Sequence, residues 1–413
     1  MTNSPPCIVL GVETQIGLGV VRELGRAGIR VVGIAHQENA LGLASRYIWR
    51  KVIVPRPRSE ELLAAIRALG EELGECCLMA ISESNLQWLA EHRDALGQVR
   101  AAIPMTDKLS LVLDKQKTLQ AANEVGLTIP YSIEPKTLQE AQELANTFSF
   151  PAVLKWKDPN AIVPMLQAHG LQLVKAEYIY TPTQWLEVVA RYAALGQWPM
   201  VQAYCPGQGL GQFFFMHKGQ ALRRFQHLRI AEWPPEGGFS SVCDALPLDQ
   251  CQALQERSIA LLRHIGWEGT AMVEYRYNAR NQEAVLMEIN GRYWGSFPLA
   301  VHCGCGFSLL AYQACMELHF TSLPPPIDNI RCRMMATELK RLVRIFFQAE
   351  RISDKSFVIR RSFEIGRFFS DFFRPRVHYY VWSIQDPKPF FADLSNLLRT
   401  RLRLDSRIQG QNT

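Results

Sequence analysis

The sequence predicts an α/β unit followed by an α+β unit, with a basic helical extension at the C-terminal end. Apolar runs and helical patterns alternate through residues 1–110, which is typical of a parallel α/β domain. From residue 111 the order becomes helix, strand pair, helix, strands, helix and hairpin. Residues 331–413 carry 17 Lys and Arg against 8 Asp and Glu, while the preceding residues carry 28 against 31. We therefore expect domains at 1–110, 111–322 (subdomains about 111–200 and 201–322) and 323–413.

The first unit opens as β-α-β. A strand at Cys7–Gly11 precedes a helical pattern from Val20 to Gly28 and a second strand at Arg30–Ile34. Its glycines lack the G-x-G-x-x-G spacing, and Ala35 is followed by His36 rather than an acid, so NAD is not the expected ligand. Further strands are predicted at 51–54 and 77–81, and helices at 59–73 and 86–96.

The second unit alternates helices and strands. A helix over 109–125 ends at Gly126, and a buried strand over 150–155 ends in Lys155. The remaining predicted elements are strands at 171–175 and 200–204 and helices at 182–195 and 249–265.

A hairpin over 272–296 places oxygen ligands on one face. Glu288 and Asn290 are two apart in one strand, and the turn 278–283 brings Glu274 beside Glu288. Arg292 continues the same face. Magnesium on nucleotide phosphates takes only one or two protein carboxylates, which favours a metal site. The alternative is a hairpin with a charged, solvated face.

The basic C-terminal region contains an amphipathic pattern over 357–373. One flank carries Phe363, Ile365, Phe368, Phe369 and Phe372, and the other carries Arg360, Arg361, Glu364, Arg367 and Asp371. Two alternatives stay open: the aromatic flank packs against the protein, or it contacts a membrane surface. Nucleic acid is not expected, because no recognised reader motif is present.

Composition excludes several classes of protein. The 10 cysteines show no Cys-x-x-Cys spacing, which argues against a zinc site and a disulfide framework. No basic leader precedes an apolar stretch, and no run reaches about 18 apolar residues. We therefore expect a cytoplasmic protein, and association with a membrane surface stays open.

Five motifs, taken together and in their order along the chain, resemble those of the ATP-grasp superfamily, in particular its carboxylate-amine ligase and carbamoyl-phosphate-synthase-like branch. The resemblance covers residues 5–320, and its most specific part is Leu-Met-Glu-Ile-Asn-Gly-Arg-Tyr-Trp-Gly-Ser at 286–296. The others lie at 114–130, 150–155, 202–207 and 227–238. It implies a pre-ATP-grasp domain, a two-part ATP-grasp fold, and ATP with Mg²⁺ or Mn²⁺ as cofactors.

The resemblance also implies roles for individual residues. Lys115 and Lys155 would contact the α- and β-phosphates, while Arg229 and Arg292 would bind the γ-phosphate or the carboxylate that receives it. The residues implied in nucleotide binding besides the lysines are Gln202, the Ala203 carbonyl, the Cys205 amide and His227. The implied metal ligands are Glu274, Glu288 and Asn290.

The implied reaction converts a carboxylate to an acyl phosphate that an amine attacks, so small-molecule acid and amine substrates are expected. Two alternatives stay open: phosphorylation of bicarbonate or carbamate, and an ATP-binding regulator without ligase activity. The chain departs from the family in residues 156–170, which hold one glycine where a glycine-rich lid is common, and at Gly291. Residues 82–85 are the predicted substrate-facing loop, and a homodimer is left open.

Overall fold

The N-terminal residues form a parallel sheet in the order β3-β2-β1-β4-β5. The computed structural model describes residues 4–55, 59–174 and 176–410. The strands are β1 (Cys7–Leu10), β2 (Val31–Ala35), β3 (Ile48–Ile53), β4 (Cys76–Ala80) and β5 (Val99–Ala101). The helices are α1 (Gln15–Arg26), α2 (Ser59–Leu73) and α3 (Glu83–Glu91). Strands β1 and β4 are wholly apolar and buried, as expected for a parallel sheet covered on both faces. The predicted α/β fold is confirmed.

Two short helices, α4 (Thr106–Leu113) and α5 (Lys115–Glu124), follow this sheet. A single helix over 109–125 was the expectation, and it is wrong at Asp114. That side chain accepts hydrogen bonds from the backbone amides of Gln116 and Lys117, so it caps α5 instead of continuing α4. The cap sets Lys115 at the first position of α5.

A four-stranded antiparallel sheet in the order β6-β9-β7-β8 forms the small-sheet lobe. Its strands are β6 (Ser132–Ile133), β7 (Ala152–Lys155), β8 (Glu177–Ile179) and β9 (Met200–Ala203). Its helices are α6 (Leu138–Thr147), α7 (Pro159–Ala168) and α8 (Pro182–Tyr192). The strand predicted over 171–175 is wrong, because residues 171–174 form no element and β8 starts at Glu177; residue 175 lies outside the described residues.

The largest sheet has seven strands in the order β14-β13-β10-β11-β12-β15-β16. They are β10 (Gln208–His217), β11 (Gln220–Trp233), β12 (Phe239–Ala245), β13 (Gly269–Asn278), β14 (Glu283–Asn290), β15 (Arg331–Arg333) and β16 (Val377–Tyr379). The helices of this part are α9 (Gln252–His264), α10 (Phe297–His302), α11 (Phe307–Cys315), α12 (Met335–Phe347), α13 (Arg361–Ser370) and α14 (Lys388–Gly410). Residues beyond 323 thus supply two strands of the large sheet. No helix among the described residues is both long and apolar enough to traverse a bilayer.

Of the two alternatives for the pattern over 357–373, packing of the aromatic flank against the protein is wrong. The helix spans only Arg361–Ser370, and three residues of the charged flank, Glu364, Arg367 and Asp371, are buried, while Arg360 and Arg361 are exposed. Of the aromatic flank only Phe368 is buried. The physical reason is that buried arginines on neighbouring elements require these carboxylates as partners.

The C-terminal region is fixed to the first sheet by one buried carboxylate. Asp386 is 1% exposed and accepts bonds from Arg22 Nε at 3.0 Å, Ser45 Oγ at 2.6 Å and the Arg46 amide at 2.9 Å. Arg22 also donates to the Val381 carbonyl. Residues separated by more than 300 positions therefore share one polar cluster.

Replacing Asp386 with Ala is expected to lower the free energy of unfolding by about 3–5 kcal/mol, because Arg22 would remain buried without its counter-charge. Urea denaturation measures the change. The double variant Arg22→Met/Asp386→Ala should recover part of the loss, and Glu350→Ala, at an exposed carboxylate, is the matched control. A loss no larger than that of Glu350→Ala would contradict the assignment.

Candidate functional site

Glu274 and Glu288 are direct cross-strand partners in the β13–β14 hairpin, and Asn290 stands opposite Met272. The Asn290 side-chain amide donates to Glu288 Oε1 at 2.9 Å. A bulge follows Glu274 in the ladder. The hairpin therefore sets two carboxylates and one amide side by side, in the register that the alternating sequence predicts.

Arg229 lies between two carboxylates. Its Nη2 contacts Glu274 Oε2 at 2.5 Å, and its Nη1 donates to Glu232 Oε1 at 3.0 Å and to the Gly238 carbonyl at 2.9 Å. Arg276 also donates to Glu232, at 3.2 Å. The pKa of Glu274 is raised by burial, against the pull of Arg229. Burial acts to raise the pKa of Glu232 as well, but Arg276 and Arg229 outweigh it and lower that pKa.

Lys155 emerges at the end of β7, and its Nζ donates to Gln202 Oε1 at 3.0 Å. Burial and the neighbouring Lys115 lower the pKa of Lys155 to about 8. Burial acts to raise the pKa of Glu288, yet Lys115, with Asn290 and Lys155, lowers it. The two lysines and Glu288 are thus near enough to act on one another electrostatically.

The strand implied in adenine binding is β9. Gln202 is almost wholly buried, and its amide is engaged at both ends, since its Nε2 donates to Ser132 Oγ at 3.1 Å while its Oε1 accepts from Lys155. The Ala203 amide donates to the Tyr131 carbonyl at 2.8 Å. Residues 202–205 line the cleft, and burial raises the pKa of Cys205.

His227 does not line the cleft, so its assignment to nucleotide binding is corrected. The side chain is fully buried, its Nδ1 lies 3.2 Å from Ser296 Oγ, and its ring stands edge-on to Phe213. Phe213 stacks on Trp294 with ring centroids 4.0 Å apart. Burial lowers the pKa of His227, and Arg229 adds to the effect. It is a neutral core residue.

Arg292 is paired with the first domain. Its Nε donates to Glu83 Oε1 at 2.8 Å, and its Nη1 donates to the Tyr293 carbonyl. Glu83 is the first residue of α3, directly after the Ser82 cap. Residues 82–85, which were predicted as a loop and form the cap and first turn of α3, line the cleft. The hairpin and the start of α3 therefore meet through one ion pair.

A single cleft of about 1720 Å³ connects these groups. It is lined by loops of the first sheet, by the small-sheet lobe, by β11 and the following turn, and by the β13–β14 hairpin. Lys115 is not among the lining residues, although its charge acts on Lys155 and Glu288. Arg276 and Glu232, which the sequence reasoning missed, also line the cleft; Arg276 lies two residues beyond Glu274, so strand alternation was a usable signal.

The C-terminal region closes one side of the cleft, and the sequence gives no local signal for this. Asp354, 3% exposed, accepts from the hydroxyls of Tyr180 at 2.7 Å and Tyr204 at 3.1 Å, both on the small-sheet lobe. Arg341 of α12 donates to the carbonyls of Glu232 and Pro235 at 3.0 and 3.1 Å. One segment thus contacts both the lobe and the large sheet.

The glycine-poor segment 156–170 contains helix α7 rather than an extended loop. Lys157, just before the helix, lies 3.4 Å from Asp114 at the start of α5. Only residues 156–158 separate this helix from β7, the strand that carries Lys155.

The oxygen ligands of the hairpin suit a hard divalent cation whose other ligands are supplied by a bound phosphate. Within the described part of the chain, no three His, Cys, Asp or Glu side chains form a closed metal cluster. Two carboxylates and an amide oxygen are instead what magnesium takes from a protein when phosphates fill its other positions. Glu274, Glu288 and Asn290 fit that chemistry.

Comparisons with known proteins agree with the fold. Residues 242–318 match the family described as the ATP-binding domain of the carbamoyl-phosphate synthase L chain. Biotin carboxylase from Campylobacter jejuni, solved as a complex with β,γ-ATP, is similar with a TM-score of 0.60 at 14% identity, covering 80% of this chain and 75% of that one. No curated protein matches by sequence.

Two further solved structures have the same architecture. The L-amino acid ligase from Bacillus licheniformis has a TM-score of 0.57 at 16% identity, with coverage of 79% of this chain and 76% of that one. The PurK N5-carboxyaminoimidazole ribonucleotide synthetase, solved with ADP, has a TM-score of 0.59 at 15% identity, with coverage of 79% and 80%. The chain therefore has the ATP-grasp fold of these proteins, and the resemblance is confirmed at the level of the fold.

Replacing Asp354 with Ala is expected to loosen the small-sheet lobe. Each lost hydrogen bond to a charged group contributes about 1.5–3 kcal/mol, so amide hydrogen exchange in β8 and β9 should accelerate by about tenfold or more. Exchange mass spectrometry measures it, with Asp393→Ala on α14 as the control. Unchanged exchange in β8 and β9 would contradict a tie through Asp354.

Proposed function

We propose that the protein is an ATP- and magnesium-dependent ligase that converts a carboxylate to an acyl phosphate and joins it to an amine. The observation that carries the proposal is the cross-strand pair Glu274 and Glu288, with Asn290 beside it and Lys155 facing the same cleft. Phosphoryl transfer from ATP is mostly positioning and neutralisation of oxygen charge, which such groups provide. The similarity to an L-amino acid ligase supports the amide-forming branch.

The nucleotide phosphates would bind between the lysines and the hairpin. Lys155 would supply positive charge from the small-sheet lobe and Lys115 from the start of α5, and the Ala203 carbonyl and Cys205 amide would pair with the adenine edge. Magnesium, held by Glu274, Glu288 and Asn290, would neutralise charge on the β- and γ-phosphates.

Arg229 and Arg292 would act on the carboxylic acid substrate. Arg229 holds Glu274 in place and keeps its own charge at every accessible pH. Arg292 is paired with Glu83, so an incoming carboxylate would compete with Glu83 for the guanidinium. The acid would then lie between the hairpin and residues 82–85, where the first domain can select it.

A second candidate is phosphorylation of bicarbonate or carbamate. It is favoured by the match to the carbamoyl-phosphate synthase domain and by the similar biotin carboxylase domain from Hydrogenobacter thermophilus, which was solved with MgADP and bicarbonate (TM-score 0.61, 12% identity, 79% and 73% coverage). An ADP-release screen over carboxylates, amines and bicarbonate separates the two reactions. Tight ATP binding without ADP release in any combination would instead favour a regulator.

Replacing Glu288 with Gln is expected to reduce ADP release with the cognate substrates by about 10²–10³-fold, because the charge of one ligand is lost while its shape is kept. Glu283→Gln, at the exposed start of the same strand, is the matched control. Thermal melting should show both variants folded. Full turnover by Glu288→Gln would contradict the proposed site.

ATP binding is expected to weaken as the pH rises through about 8. The pKa of Lys155 is about 8 without ligand, and a bound polyphosphate would raise it. Binding then takes up a proton above pH 8, and affinity falls by up to tenfold per pH unit. Calorimetric titrations measure this, and Lys155→Arg, which stays charged, should flatten the profile. A wild-type affinity independent of pH in this window would contradict it.

A further inference from the structure

Helix α12 buries two charged residues and exposes a row of apolar ones. Glu338 and Arg341 are buried, while Leu339, Val343 and Phe347 are 49%, 46% and 80% exposed. The three exposed residues are spaced by four, so they form one stripe along the helix. This is the reverse of an ordinary surface helix.

Helix α13 and the residues just after it repeat the reversal. Glu364 and Arg367 face inward with Asp371, whereas Ile365, Phe369 and Phe373 are 41%, 56% and 88% exposed. The exposed residues are again spaced by four. We call these six side chains, Leu339, Val343, Phe347, Ile365, Phe369 and Phe373, the outer face.

Strand β15 explains why both helices turn the same way. Arg331 and Arg333 are two apart and point to one face of the large sheet. Arg331 contacts Asp371 at 2.6 Å, and Arg333 contacts Glu338 at 2.8 Å and donates to the Phe368 carbonyl. Both helices therefore lie on that face with their carboxylates towards it, and the outer face points away from the protein.

The surface around the outer face is strongly basic. The chain segment that carries the outer face, residues 335–399, has nine exposed Lys and Arg side chains, and Glu350 is its one exposed acid, because its other carboxylates are buried or half-buried. The same 65 residues hold 15 of the 27 exposed large apolar side chains of the described chain. Lys340 lies within the α12 stripe, and Arg360 and Arg361 stand at the start of α13.

We propose that the outer face docks on the surface of an anionic phospholipid bilayer. Exposed phenylalanines with lysines and arginines around them suit insertion at headgroup level, where the rings leave water and the cations meet phosphate. Burying the carboxylates removes the charges that such a surface would repel. The docking is peripheral and independent of the reaction proposed for the cleft.

Co-sedimentation of the full chain with vesicles tests the proposal. Binding is expected to phosphatidylcholine vesicles that contain phosphatidylserine, at least about tenfold more strongly than to phosphatidylcholine alone, and to weaken with added salt. Phe347→Ser/Phe369→Ser/Phe373→Ser should lower the partition coefficient by about tenfold or more. These side chains are exposed, so folding should persist.

The matched control is Met105→Ser/Leu138→Ser/Ile327→Ser, at side chains of 60%, 45% and 52% exposure outside this region, which should bind like the wild type. Failure to sediment with phosphatidylserine overturns the proposal, as does equal loss in both triple variants. Analytical ultracentrifugation tests the alternative, in which a second copy of the chain covers the outer face. A wild-type dimer that the phenylalanine variant converts to a monomer, without vesicle binding, would assign the face to a second copy of the chain. ADP release is measured separately, so its outcome does not decide the docking.

Discussion

The buried guanidinium of Arg229 is the constraint on which the site depends. A guanidinium cannot lose its proton in a protein, so its burial requires carboxylate partners, and Glu274 and Glu232 supply them. Glu274 is thereby held at the hairpin beside Glu288, and Glu232 is held where it also receives Arg276. One positive charge thus links β11 and β13 across the intervening β10 and orients the acids of the cleft.

The charge network does not end at the cleft. Arg341 binds the carbonyls of Glu232 and Pro235 and pairs with Glu364, and Arg367 pairs with Glu364 and lies near Glu338. Glu338 is in turn the partner of Arg333 on β15. The C-terminal region is therefore part of the same polar core as the candidate site. Removing a member would leave a buried charge with fewer partners, which destabilises the fold.

Features encoded locally could be predicted from the sequence. The pairing of Glu274 with Glu288 follows from alternation and turn length, and Lys155 follows from its place at the end of an apolar strand. The burial of His227 and the tie through Asp354 could not be predicted in this way, because each depends on residues far away in sequence. For α13 the periodicity separated most apolar from most charged positions, but it did not show that Glu364, Arg367 and Phe368 would be buried together while Arg361 and Phe369 are exposed. That choice is made by Arg331 and Arg333 on a strand of three residues, too short to show a period.

The same network limits how the outer face and the cleft can influence each other. Because Arg341 is bonded to Glu364 on one side and to the turn after β11 on the other, α12 cannot shift without breaking one of these contacts. The helix pair and that turn therefore behave as one rigid unit, since bonded buried charges resist separation. A surface bound at the outer face can change the cleft only if it binds two arrangements of this unit with different affinity. Without such a difference in affinity, docking sets where the protein acts and leaves how fast it acts unchanged.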